Sequence, residues 1–165
     1  MSVSVLKNND STQAEKKPKP YPDIISIKDI TILLIDDEEM VVKITEKMLK
    51  KIGYKVLKAT SGYEGIRIFQ TYRNQIEIVI CDMIMPKMDG LELVHRLRAI
   101  SPCVKVLLSS GSLIDEDEKD IVNRGFDGLV KKPYMINDLS RKIESILKRW
   151  TDFEENLEND FRDQG

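Results

Sequence analysis

Five short apolar runs punctuate the chain: TILLI at 31–35, YKVLKA at 54–59, IEIVI at 76–80, VKVLLS at 104–109 and FDGLV at 126–130. Runs of this kind suit parallel strands covered on both faces. Between the first two, Val41, Ile44, Met48, Leu49 and Ile52 recur at helical spacing; Leu91, Val94, Leu97 and Ile100 do the same between the third and fourth. Gly53 stands where the first helix has to stop, and TSGYEG at 60–65 opens the second with a Thr or Ser cap. The last helix is expected over 135–149. Strands alternating with helices predict a doubly wound α/β domain. Right-handed crossovers leave the flavodoxin-like order 2-1-3-4-5 as the common five-stranded solution.

The flanks have a different texture. Residues 7–22, KNNDSTQAEKKPKPYP, hold three of the six prolines and no apolar period, so 1–28 is expected to be a polar linker. The folded domain is expected over 29–149. Residues 150–165 form an acidic tail, in which TDFEENLENDFRDQG carries six acids and one arginine and is expected to be solvated and frayed.

With 165 residues, 41% of them apolar and 33% charged, the chain suffices for one ordinary core. A net charge of -2 gives no electrostatic footprint for nucleic acid or an anionic membrane. No stretch approaches the ~20 apolar residues of a membrane span, and MSVSVLKNND lacks the basic start and apolar centre of a signal peptide. A cytoplasmic, reducing setting is expected, with Cys81 and Cys103 both read as buried, inert thiols beside apolar runs.

In a doubly wound sheet, sites form at the carboxyl ends of the strands, beside the switch point between the first and third. The first strand ends in DDEE at 36–39, the third in Asp82, the fourth in Ser109 and Ser110, and the fifth runs into KKP at 131–133. Carboxylates gathered from Asp36, Asp37 and Asp82 repel one another unless a cation relieves them, and an all-oxygen site with room for water suits Mg²⁺. Each piece alone has a plainer reading. An acidic pair opening a helix complements its dipole, Lys132 alone is a solvated lysine, and SSG alone is a loop. Their convergence on one edge favours chemistry.

The segments LLIDDEE, DMIMPKMDG, LLSSG and VKKP, in that order and spacing, resemble the receiver domain of two-component response regulators. The resemblance implies that Asp82 is a phosphoacceptor, a carboxylate nucleophile taking phosphoryl from a histidine kinase or a histidine phosphotransfer protein. It implies Mg²⁺ held directly by Asp37, Asp82 and the backbone carbonyl of Ile84, with Asp36 acting through water. It assigns Ser110, 22 residues before Lys132, to a phosphoryl oxygen, and Lys132 to Asp82 and then the phosphoryl group. A cis Lys132–Pro133 bond is also implied. Met85-Pro86 and Asp89-Gly90 shape the turn beside the nucleophile.

Two positions depart from the family pattern. Leu129 stands three before the lysine, where an aromatic residue is usual, and Ile84, two after Asp82, is apolar and neither orients nor activates water. Slow loss of phosphate is expected. His95, the only histidine, is read as a helix-surface residue, and Tyr54 and Tyr63 as packing residues. The function implied is a phosphoacceptor module rather than an enzyme in the usual sense, acting as a monomer or weak dimer. The polar lead-in resembles that of the C-terminal receiver of a hybrid sensor histidine kinase. The alternative is a haloacid-dehalogenase-like Mg²⁺-dependent phosphatase, which also uses an aspartate, Mg²⁺ and a lysine. That family wants a DxD motif after its first strand, whereas Asp82 follows the third. A flavin module is disfavoured because DDEE repels phosphate.

Overall fold

The computed structural model describes residues 30–112 and 118–162, with side chains as far as Arg149. The expected linker lies outside the described residues. Elements alternate in chain order: β1 Thr31–Ile35, α1 Glu39–Ile52, β2 Lys55–Ala59, α2 Gly62–Tyr72, β3 Ile76–Asp82, α3 Gly90–Ile100, β4 Val106–Ser110, α4 Glu118–Asn123, β5 Gly128–Lys131 and α5 Ile136–Arg162. The strands form one parallel sheet in the order β2-β1-β3-β4-β5, as the pattern of apolar runs predicts.

Successive strand residues face opposite sides, and the core divides accordingly. Leu33, Ile35, Val79, Cys81, Val106 and Leu108 pack on one face with Phe69, Leu93, Val94, Leu97, Ile121 and Phe126 from the α2, α3 and α4 side. Ile32, Leu34, Ile78, Ile80 and Leu107 pack on the other with Val42 and Leu49 of α1 and Leu139, Ile143 and Ile146 of α5. Every residue of β1 is buried, because it lies between β2 and β3 and is covered on both faces. Helix ends follow the expected chemistry. Gly53 adopts φ 118° and its N–H closes α1 on the carbonyls of Leu49 and Lys50. Ser61 caps α2 by accepting from the Glu64 N–H, while Glu64 Oε2 accepts from the Thr60 N–H.

Four expectations are corrected. β4 begins at Val106, two residues later than its apolar run, because the Val104 N–H turns back to the Ser101 carbonyl. Cys103 lies in that turn and is exposed, whereas Cys81 is buried. α5 does not stop at 149 but continues as helix through Arg162, taking in most of the acidic segment read as frayed. Tyr63 is also more exposed than a packing residue, at 53%, with the Arg96 guanidinium 5.7 Å from its ring centre. His95 is exposed on α3 and Tyr54 is buried, as expected.

Candidate functional site

Sheet register sets the geometry of the carboxyl edge. Ile35 pairs with Cys81, and Asp82 pairs with Ser109, so Asp36, Asp82 and Ser109 stand at one level at the carboxyl ends of three adjacent strands. Ser110 pairs with Lys131, which brings Lys132 over the same edge, its N–H donating to the Ser110 carbonyl at 2.8 Å. The Lys132–Pro133 peptide that follows is cis.

Lys132 Nζ donates to Asp36 Oδ2 at 2.7 Å and to Asp82 Oδ1 at 2.8 Å, so one ammonium bridges two carboxylates. Burial pulls the Lys132 pKa down, but the hydrogen bonds and charges of Asp36 and Asp82 outweigh it and hold the group above the ordinary lysine value. The lysine is therefore a fixed cation at neutral pH. The second oxygens of both carboxylates accept backbone N–H groups: Asp36 Oδ1 from Glu38 at 3.0 Å, Asp82 Oδ2 from Ile84 at 2.9 Å. Asp36 is only 2% exposed and Asp82 9%, and such burial is tolerable because both are paired and hydrogen-bonded.

The segment after Asp82 is held as tightly. The Gly90 N–H donates to the Met83 carbonyl, and Asp89 Oδ1 caps α3 by accepting from the Glu92 N–H at 2.8 Å. Lys87 takes φ 68°, a left-handed conformation that lets the loop turn back from the sheet. Met85 and Met88 are buried beneath it, while Ile84 stands 66% exposed at the rim. Proline, aspartate and glycine thus turn the chain sharply without moving Asp82 from the strand end.

The predicted residues therefore fall into two groups. Asp36, Asp82 and Lys132 meet in direct contact. Ser110 is buried on the neighbouring strand end, its hydroxyl sharing a 3.2 Å hydrogen bond with that of Ser112, and Asp37 is half-buried beside Asp36. Among the described residues, no three His, Cys, Asp or Glu side chains are gathered into a ready metal cage. The donor set at the edge is nevertheless all oxygen. Mg²⁺ ordinarily takes one or two carboxylates, keeps its waters and needs no such cage, so the residues present fit it. Two hydroxyls beside the site were not anticipated from the sequence, those of Tyr134 and Thr45, and Ser109 was anticipated only as a strand end. The available signal was Thr45, a polar residue on the buried stripe Val42–Thr45–Leu49 of α1.

The family model for the response regulator receiver domain matches residues 32–144. The chain belongs to this family. Among curated relatives, the receiver resembles the sensor kinase CckA of Brucella abortus (strain 2308), 30% identical over 82% of this chain and 14% of that one. It also resembles the probable transcriptional regulator ycf27 of Porphyridium aerugineum, 35% identical over 72% of this chain and 48% of that one. The chain thus spans less than half the length of either. Among solved structures, a response regulator receiver domain protein from Clostridium thermocellum is 31% identical with a TM-score of 0.70, covering 75% of this chain and 98% of that one. The receiver domain of the hybrid histidine kinase CckA gives 28% and 0.60, covering 71% and 98%. Membership makes the chain a receiver of two-component signalling. With Asp82 after the third strand of this fold, the dehalogenase alternative has no motif to stand on. Among the described residues no helix is long and apolar enough to cross a membrane.

Proposed function

We propose that this receiver accepts a phosphoryl group on Asp82 from the phosphohistidine of a histidine kinase or histidine phosphotransfer protein. The observation that carries the reading is the Lys132 ammonium held at 2.7 and 2.8 Å between Asp36 and Asp82 on the carboxyl edge. An Asp82 carboxylate oxygen attacks phosphorus, the bond from phosphorus to the imidazole nitrogen breaks with its electron pair going to nitrogen, and an acyl phosphate results. Lys132 neutralises charge on the equatorial oxygens, and its position is fixed before the reaction begins. Ser110 turns from Ser112 to a phosphoryl oxygen. Asp36, Asp37, Asp82 and the Ile84 carbonyl would hold Mg²⁺, which supplies further charge neutralisation at the phosphoryl group when bound. The exposed, apolar Ile84 offers water no activating group, which supports a long-lived acyl phosphate.

The parent chain fits a hybrid sensor kinase. Sensor kinases and transcriptional regulators both stand among its relatives, over alignments of similar length. A kinase core in the reading frame ahead of residue 1 would establish that origin; a DNA-binding domain after residue 165 would exclude it. For the acceptor, incubation with acetyl phosphate and Mg²⁺ followed by borohydride trapping and mass spectrometry should mark Asp82 alone. Asp82→Asn should abolish the label. Equal labelling of that variant would refute the assignment.

A further inference from the structure

Thr45 lies on the buried stripe of α1, 1% exposed, and its hydroxyl shares a 2.9 Å hydrogen bond with the hydroxyl of Tyr134. Ser109 Oγ donates to the same tyrosine oxygen over a longer 3.4 Å. With the Ser109 proton directed at it, the tyrosine oxygen has its own proton to give to Thr45. Three elements meet at this oxygen: α1, the end of β4, and the short segment from Lys132 into α5.

The place of each member gives the contact its interest. Ser109 pairs with Asp82 and immediately precedes Ser110. Neighbouring residues on a strand point to opposite faces, so the two serines are the two sides of one strand end. Ser109 faces Tyr134 on the α1 and α5 side of the sheet, and Ser110 lies on the opposite side with its hydroxyl on Ser112. Tyr134 follows Lys132 by two residues across Pro133, which has no N–H of its own to anchor the segment. The tyrosine also separates two surface grooves. One, of about 390 Å³, is lined by Val41, Ile44, Thr45 and Met48 of α1 together with Lys132 and Pro133; the other, of about 500 Å³, lies between β5 and α5. Tyr134 lines both. Meanwhile position 129 holds a buried leucine, packed in the core and without a hydroxyl.

We propose that Tyr134 is a positioning residue that ties the Lys132 segment to α1 and β4, and that carries a displacement of the β4 end to the groove along α1. Movement of Ser110 toward a modified Asp82 shifts Ser109 through the shared backbone. The Tyr134 hydroxyl follows, and the wall between the two grooves moves with it. The state of Asp82 is thereby read along α1. The inference rests on Asp82 being the phosphoacceptor.

Amide chemical-shift mapping with beryllofluoride and Mg²⁺ tests it on the full chain, on Tyr134→Phe and on Ser109→Ala. Tyr134→Phe keeps the ring and removes only the hydroxyl. Ser109→Ala cuts the link to β4 while leaving the Tyr134–Thr45 bond, and carries the test if the first variant folds poorly. In the native protein, shifts are expected at Asp82 and Ser110 and also at Ile44, Thr45 and Met48. In the variants the first group persists and the second is lost. A merely structural tyrosine would lower the melting temperature and leave the pattern intact. Shifts along α1 that are equally large in a folded variant overturn the coupling, as do native shifts that never reach α1. No shift at Asp82 in the native protein instead overturns the acceptor assignment, and the coupling falls with it.

Discussion

Gly90 has no room for a methyl group. A Cβ there would lie 2.6 Å from the Asp82 carbonyl oxygen and 3.0 Å from the Met83 Cα, both backbone atoms that cannot swing aside. Gly90→Ala is therefore expected to cost about 1–3 kcal/mol, as overpacking does, and to slow acetyl phosphate labelling by displacing Asp82 itself. Gly111→Ala, whose Cβ would approach only Lys132 Cβ at 3.8 Å, serves as the control. Urea unfolding and label incorporation measure the two effects, and equal behaviour of both variants would contradict the argument. The sequence announced Asp-Gly as a turn former but not this approach of α3 to the acceptor, because the contact depends on how the helix starts. The same division holds across the site. Asp36, Asp82 and Lys132 were legible because unlike chemistry at strand ends stands out against apolar runs. The hydroxyl contact between Thr45 and Tyr134 spans 89 residues and leaves no trace in local pattern.

At the scale of elements, the sequence pattern placed every strand and every helix except the short α4, and tertiary pairing decided their limits. β3 runs two residues past its apolar run, through Asp82, because Cys81 and Asp82 still pair with Leu108 and Ser109. Similarly, α5 outruns the domain expected to contain it. Its inward residues Leu139, Ile143 and Ile146 are read easily, and Trp150, Phe153, Leu157 and Phe161 continue the same three- and four-residue spacing through the acid-rich segment, a helical signal that its charge masks. Capping supplies a test at this scale. Ser61→Ala removes the acceptor for the Glu64 N–H and should destabilise the protein by about 1 kcal/mol, measured by urea unfolding. Labelling of Asp82 should be unchanged, since α2 contributes no group to the acceptor edge. A loss of labelling in a fully folded Ser61→Ala protein would mean that α2 governs the site.

For the whole molecule, the acceptor edge is also a charge balance that folding must hold. The Lys132 pKa is raised in the folded protein, so its contribution is fully present below the unfolded lysine value of about 10.4 and is lost as pH rises through the higher folded value. Measured in EDTA to exclude divalent cations, the stability difference between the native protein and Lys132→Met should be level from pH 7 to about 10 and narrow above it. A difference that narrows near neutrality would contradict the assignment of charge. Tyr54 adds alkaline sensitivity of the same sign, since burial and then the Glu144 charge raise its pKa, and it is common to both proteins. The two cysteines put this cooperativity on a time axis. Cys103 lies open in its turn, whereas Cys81 sits one residue before the acceptor, on a strand paired on both sides; burial first, then the charges of Asp82 and Asp36, push its thiol pKa up. An alkylating reagent meets the first at once and the second only when the sheet parts. One chain thus contains both a reference and a clock, and the delay between its two thiols times the opening of the strand that carries Asp82.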